Sequence, residues 1–191
     1  MHCVKTKHVV EELIKKSRFI GVIFPSANER SALEHLQALT LEHPHATHIA
    51  FAWRIQTPHG IVYRFHDAGE PSGTAGKPIF QHLEGKNLIN VTLAVIRYFG
   101  GIKLGAGGLT RAYSNTAGLV IETAELAEYV VLDRLLFTLD YAQMQEFEYY
   151  LKKHSGVIIE QLFEQQIKLI IEIPRLETQN VLQRFNGQLL A

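Results

Sequence analysis

Arg97-Tyr98-Phe99-Gly100-Gly101-Ile102-Lys103-Leu104-Gly105-Ala106-Gly107-Gly108-Leu109-Thr110-Arg111-Ala112-Tyr113 is the stretch around which the chain is organised. Its five glycines stand between an apolar run at 88–96 and a long amphipathic pattern at 109–124. Glycine lets a ligand or a second backbone come close. A helix that begins just past such a loop turns unpaired N–H groups and a positive dipole end outward, toward an anion. Arg97, Lys103 and Arg111 bracket the stretch, so it reads as an anion-facing surface. It satisfies no established phosphate-loop pattern, with neither Gly-Lys-Ser/Thr nor Gly-x-Gly-x-x-Gly. The plainer reading is a tight turn whose glycines serve packing alone.

The helix after the loop has the clearest periodicity in the chain. Leu109, Ala112, Tyr113, Thr116, Ala117, Val120, Ile121 and Ala124 recur at helical spacing, and Arg111, Asn115 and Gly118 fall together on the opposite, open side. Before the loop, Ile89, Val91, Leu93 and Val95 form one strand face that ends on Arg97. An arginine closing a core strand needs a partner. Asp67 or Glu70 can supply it as a structural ion pair, or the arginine faces a ligand.

Those two carboxylates belong to a second glycine-rich segment. Residues 67–78 read as a long irregular loop, with Asp67, Glu70, Ser72, Thr74 and Lys77 as its polar groups, followed by a short helix with Ile79, Phe80 and Leu83 inward. Long ordered loops in compact domains are more often functional than filler. Both glycine segments border strands that should pair centrally, so they are expected side by side.

Farther upstream, residues 9–24 alternate as a strand, with Phe19, Gly21 and Ile23 on one face and Ile20, Val22 and Phe24 on the other. Lys15, Lys16 and Arg18 interrupt it, as at an edge or bend. Residues 26–29 read as a capping box opening a helix to about His43, with Leu33, Leu36 and Leu39 buried and Pro44 as its stop. A hairpin follows: Ile49, Phe51, Trp53 and Ile55 share a face, as do Ile61, Tyr63 and Phe65 after the turn at 57–60. The other face then gathers His48, Arg54, Arg64 and His66, a cationic surface for phosphates or an ordinary solvated face.

Near residue 125 the pattern resets. Strand 129–140, a helix through Phe147 and Leu151, a hairpin of 157–163 with 167–173, a helix through Val181 and Phe185 and a stub strand at 189–190 follow in order. β-α-β-β-α-β is the ferredoxin-like arrangement. The sequence therefore divides into 1–125 and 126–191, and the second part shows no cluster of groups that suggests chemistry.

Bulk properties narrow the classes. The 191 residues can hold one large or two small domains. Lys plus Arg balance Asp plus Glu at 19 each, but the balance is uneven along the chain. Residues 1–125 carry 13 basic against 10 acidic side chains and nine of the ten histidines, whereas 126–191 carry 6 against 9. Any anionic partner is thus expected on the first part, although charge alone does not announce a nucleic-acid binder. No apolar run approaches the roughly 20 residues that span a bilayer, and no signal-like start is read, so a cytoplasmic location is expected. Cys3 stands alone, which excludes an internal disulfide and a thiolate zinc site. The histidines at 43, 45 and 48 straddle a helix end and a strand start without a carboxylate or cysteine at ligand spacing, so no metal and no cofactor is expected. A nucleophile at Ser72 or Thr74 would need His66, Asp67 or Glu70 in register, which proximity in sequence does not establish.

Residues 67–78, together with 97–105 and 107–113, closely resemble the two signatures of the IMPACT family, its bacterial YigZ-type branch in particular, and the likeness extends over the whole chain. Ala68 departs from it: the family usually has a second acidic residue after the position of Asp67, so no carboxylate pair stands here. The resemblance implies an α+β chain of two domains. The first is a β-α-β-α domain with a left-handed crossover, similar to domain IV of elongation factor G. The second is a ferredoxin-like domain similar to domain V of that factor. Eukaryotic relatives regulate translation by binding, through an additional N-terminal domain, the activator of a starvation-responsive kinase.

Three functions stay open: a non-enzymatic module that meets RNA or the ribosome, a protein–protein regulator of a translational stress response, and a small-molecule enzyme with its site between the glycine loops. The residues expected to carry the first two are Asp67, Glu70, Ser72, Thr74, Lys77, Arg97, Gly100, Gly101, Lys103, Gly105, Gly107, Gly108 and Arg111. Lys16, Arg18, His48, Arg54, Arg64 and His66 would extend a basic face.

Overall fold

The computed structural model describes residues 1–190. The chain forms two compact units, Met1–Tyr129 and the residues from Val130 onward. The boundary lies one strand later than the sequence suggests, because β7 (Leu126–Glu128) pairs with β1 (His2–Val4) and so belongs to the first unit. Neither β1 nor β7 is long enough for alternation to mark it in the sequence.

A five-stranded antiparallel sheet builds the first unit, in the order β2 (His8–Ile14), β3 (Ser17–Pro25), β6 (Val91–Tyr98), β4 (His48–Thr57), β5 (Gly60–His66). The single strand expected over 9–24 is in fact a hairpin. Lys15 and Lys16 sit at φ 46° and 66° between the paired residues Ile14 and Ser17, as a two-residue type I′ turn requires. Neither is Gly or Asn, so the usual signal for that turn is missing.

The central strands are covered on both faces, which is why β3 and β6 read as nearly continuous apolar runs. Phe19, Ile23, Leu93 and Val95 face α2 (Gly76–Gly85) and α3 (Ala106–Thr123), meeting Ile79, Leu83, Tyr113 and Val120. Ile20, Val22, Phe24, Ala94 and Ile96 face α1 (Glu29–Glu42) through Leu39. The cap of α1 is Asn28, which exchanges hydrogen bonds with Ser31. Ser26, expected in that box, is buried against the Thr92 hydroxyl at 2.8 Å. Leu33 is exposed, and Ala32 takes the buried position beside Trp53.

The hairpin register overturns the cationic sheet face. Ile55 pairs with Val62, Trp53 with Arg64 and Phe51 with His66, so odd positions oppose even ones. A shift of one residue exchanges the faces. Arg64 therefore lies over the Trp53 ring and His66 stacks on Phe51, while His48 and Arg54 point to the side of α2 and α3. Gly118 is likewise not in the open: a β-carbon there would come within 3.1 Å of the His82 ring.

Unit two runs β8 (Leu132–Leu139), α4 (Met144–Lys153), β9 (Val157–Phe163), β10 (Ile167–Pro174), α5 (Thr178–Arg184), β11 (Gly187–Leu189). Its sheet order is β11-β8-β10-β9, antiparallel throughout. Leu135, Phe137 and Leu139 join Leu169, Ile171 and Ile173 under Phe147, Leu151 and Val181. These side chains alternate along β8 and β10, which leaves one sheet face to the helices.

Candidate anion-binding cleft

Three elements meet at the end of β6. The strand delivers Arg97, the segment before α2 delivers Glu70, and α3 begins just beyond the glycine loop. Arg97 and Glu70 are both buried, at 5% and 8% exposure, and Arg97 Nη1 donates to Glu70 Oε1 at 2.7 Å. The same oxygen accepts from the Tyr113 hydroxyl at 2.8 Å. Burial first, and then the Glu70 charge, push the Tyr113 phenol far above its usual range, so it remains a donor. His48 donates from Nδ1 to the Ala68 carbonyl at 2.8 Å, which turns its Nε2 toward Glu70 at 3.9 Å. Of the two carboxylates the sequence offers to Arg97, the structure selects Glu70.

Asp67 has another task. Its carboxylate accepts N–H donors from Gly73, Ala75 and Gly76 at 2.8, 2.9 and 2.8 Å. Burial works against its ionised form, but the three donors and nearby His66 outweigh it and hold the carboxyl below its usual range. Asp67 thus caps α2, which begins inside the stretch that the sequence suggests is loop. Thr74 donates its hydroxyl to the Pro71 carbonyl at 2.6 Å, and Ser72 is exposed.

Glycine loop geometry follows from one close approach. Gly100 packs on the backbone of Lys16 and Ser17, where a β-carbon would overlap the Lys16 carbonyl, and its N–H reaches the Ser17 hydroxyl at 3.2 Å. Only glycine fits there. Gly105 then opens α3 at φ 70°, with no side chain capping the helix. An 18-residue helix therefore starts uncapped beside Arg97.

Together these pieces enclose a cleft of about 310 Å³, lined by Thr47, His48, Glu70, Pro71, Arg97, Phe99, Lys103, Leu104, Gly105, Ala106 and Leu109. Its charged lining, Arg97 and Lys103 against Glu70, leaves one net positive charge beside a helix N-terminus. The buried Arg97 Nε has no hydrogen-bond partner. The two glycine segments are thus brought side by side, as their strands imply. Thr47, Phe99, Leu104 and Leu109 were not singled out from sequence. Leu109 is indistinguishable there from a core residue of α3.

Other expected cations lie elsewhere. Arg111 lines a separate recess with Lys15 and Asn115, since two residues turn a helix by about 200° from the Leu109 direction. Arg18 pairs with Glu11 at 2.6 Å. Arg54 donates to the carbonyls of Leu83 and Leu88 at 3.2 and 3.0 Å, tying down the end of α2. Lys16 and Lys77 are exposed. Among the described residues no group of three or more His, Cys, Asp or Glu side chains is placed to hold a metal ion, and no helix is long and apolar enough to cross a membrane.

An antiparallel α+β unit with a glycine-built cleft at an uncapped helix start is the class that fold and site define. Residues 15–121 match the Impact N-terminal domain, and residues 137–187 match a domain of unknown function, DUF1949. An IMPACT family member of Haemophilus influenzae is 35% identical over 97% of this chain and 88% of its own length. The Escherichia coli family member YigZ is 34% identical over 87% and 81%. A crystal structure of a hypothetical protein superposes with a TM-score of 0.70 at 30% identity, covering all of this chain and 96% of the other. The chain belongs to the IMPACT family.

Proposed function

We propose that this protein is a non-enzymatic, translation-linked module that binds RNA, on the ribosome or free, through the cleft of its first unit. The observation that carries the reading is the uncapped start of α3 beside Arg97 and Lys103, a combination suited to a phosphate group. Below it, Glu70 holds Arg97 Nη1 and the Tyr113 hydroxyl as a support for the site. Thr74 spends its hydroxyl on the loop, which favours binding over nucleophilic chemistry between the loops. Family membership supports the link to translation. The family resemblance further implies a likeness of the two units to domains IV and V of elongation factor G, an analogy of fold only.

A salt titration of RNA or ribosome affinity tests the reading. Each phosphate contact contributes a slope of roughly −0.7 for a single strand, so Lys103→Ala should weaken binding and flatten the slope by about that amount. Arg111→Ala, outside the cleft, serves as the control and should leave the slope unchanged. Affinity indifferent to salt would end the RNA reading. Exposed Phe99 and Ile102 on the loop, at 46% and 41%, favour the second reading, a protein partner in translational control. A pull-down whose recovered partner survives ribonuclease would select it.

A further inference from the structure

We infer that the cleft takes a terminal phosphomonoester of a nucleotide, an RNA end or a free mononucleotide, rather than a phosphate within a continuous strand. The inference rests on the anion-binding cleft of the RNA reading and narrows what the cleft takes. Arg97 lines the cleft, yet its side chain is only 6% exposed. A phosphate must enter the cleft to reach it. An internal phosphodiester carries chain on both sides and stays at the mouth, whereas a terminal phosphate can insert.

The donors suit a doubly charged end group. Nη1 of Arg97 is engaged by Glu70, while Nε of this cleft-lining side chain is buried without a partner, and a buried orphan of this kind calls for one. The start of α3 adds N–H groups that no side chain caps, and Lys103 adds an exposed cation. Apart from Thr47 and His48, the side chains of the remaining wall are apolar, chiefly Pro71, Leu104, Leu109 and the half-exposed Phe99 ring. A sugar can lie along it, with the base on Phe99, since aromatic faces accept unpaired bases of any identity. At about 310 Å³ the cleft stands at the lower edge of small-molecule sites, room for one nucleotide rather than a strand.

Fluorescence anisotropy with the full chain tests this. The probes are one oligoribonucleotide carrying a phosphate at the 5′ end, at the 3′ end or at neither, with adenosine monophosphate as competitor. One phosphorylated end should bind about tenfold or more tighter than the hydroxyl form, the discrimination of one or two charge-assisted hydrogen bonds. Ala106→Pro should abolish that preference, because proline at the first helical position removes an N–H and leaves the helix intact. Lys103→Arg should retain it. Displacement by adenosine monophosphate at concentrations comparable with the unlabelled phosphorylated oligonucleotide supports the inference and assigns the source as a free nucleotide, while displacement only in large excess, or none with the preference intact, assigns an RNA end. Equal affinity for all three oligonucleotides overturns the inference and leaves the RNA reading standing. Binding of adenosine monophosphate without any RNA supports the site and overturns that reading. No binding of any probe overturns both.

Discussion

The two glycine-rich loops and the β4–β5 hairpin both gather basic side chains along the chain, yet only the loops hold them around a common space. At the loops, Arg97 is fixed by Glu70 at 2.7 Å, and Lys103 and the start of α3 line the same cleft. On the hairpin, Arg54 is spent on the carbonyls of Leu83 and Leu88, Arg64 and His66 lie on the opposite face, and His48 belongs to the cleft instead. A loop site is assembled by backbone geometry, which glycines announce. A sheet-face site depends on register parity, where one residue decides everything.

The largest expected effect comes from breaking the pinned arginine. Glu70→Ala leaves Arg97 buried without its counter-charge and deprives Tyr113 of its acceptor, and losing one partner of a buried ion pair costs about 3–5 kcal/mol. Chemical denaturation should show that loss. A change below about 1 kcal/mol, the range of surface pairs, would mean that the loop region is no more tightly built than the hairpin.

A smaller effect, with its own pH signature, belongs to Asp67. Asn keeps one acceptor oxygen but turns an NH2 toward a backbone N–H that the carboxylate now satisfies, so Asp67→Asn should cost about 1 kcal/mol or more at neutral pH. The Asp67 carboxyl titrates lower in the folded chain than in the unfolded one. The stabilisation is therefore complete above the usual carboxylate value of about 3.9 and disappears as pH falls through the depressed folded value. Denaturation midpoints of wild type and Asp67→Asn should converge below about pH 4. A gap that stays constant into acid would remove the capping carboxylate from the loop's architecture.

The same contrast explains what the sequence made legible. The periodicity of α3, the apolar run of β6 and the need of Arg97 for an acid all follow from spacing and burial, and they place the site. The β2–β3 turn is hidden because two lysines occupy positions that usually ask for glycine or asparagine. Ala68 stands at φ 52°, a left-handed position without the glycine that usually marks one. Burial of Gly118 under His82 and the apolar wall of the cleft depend on which helices pack together, information carried by no single segment.

The smallest expected effect gives the sharpest test of the contrast, at Arg64. Its guanidinium lies 5.5 Å from the Trp53 ring centre on an exposed strand, an arrangement worth about 0.5–1 kcal/mol at an exposed site. Arg64→Ala should therefore change stability by no more than that. It should also leave RNA affinity and its salt slope as in wild type, because the side chain lies on the sheet face away from α3. Lys103→Ala should show the reverse pattern, with stability retained and affinity lost. The pair separates a footprint confined to the cleft from one that spreads across the sheet. Suppose Arg64→Ala lost as much affinity as Lys103→Ala, with both proteins melting like wild type. The partner would then reach around the β5 edge, and the register that separates the hairpin cations would no longer limit the binding surface.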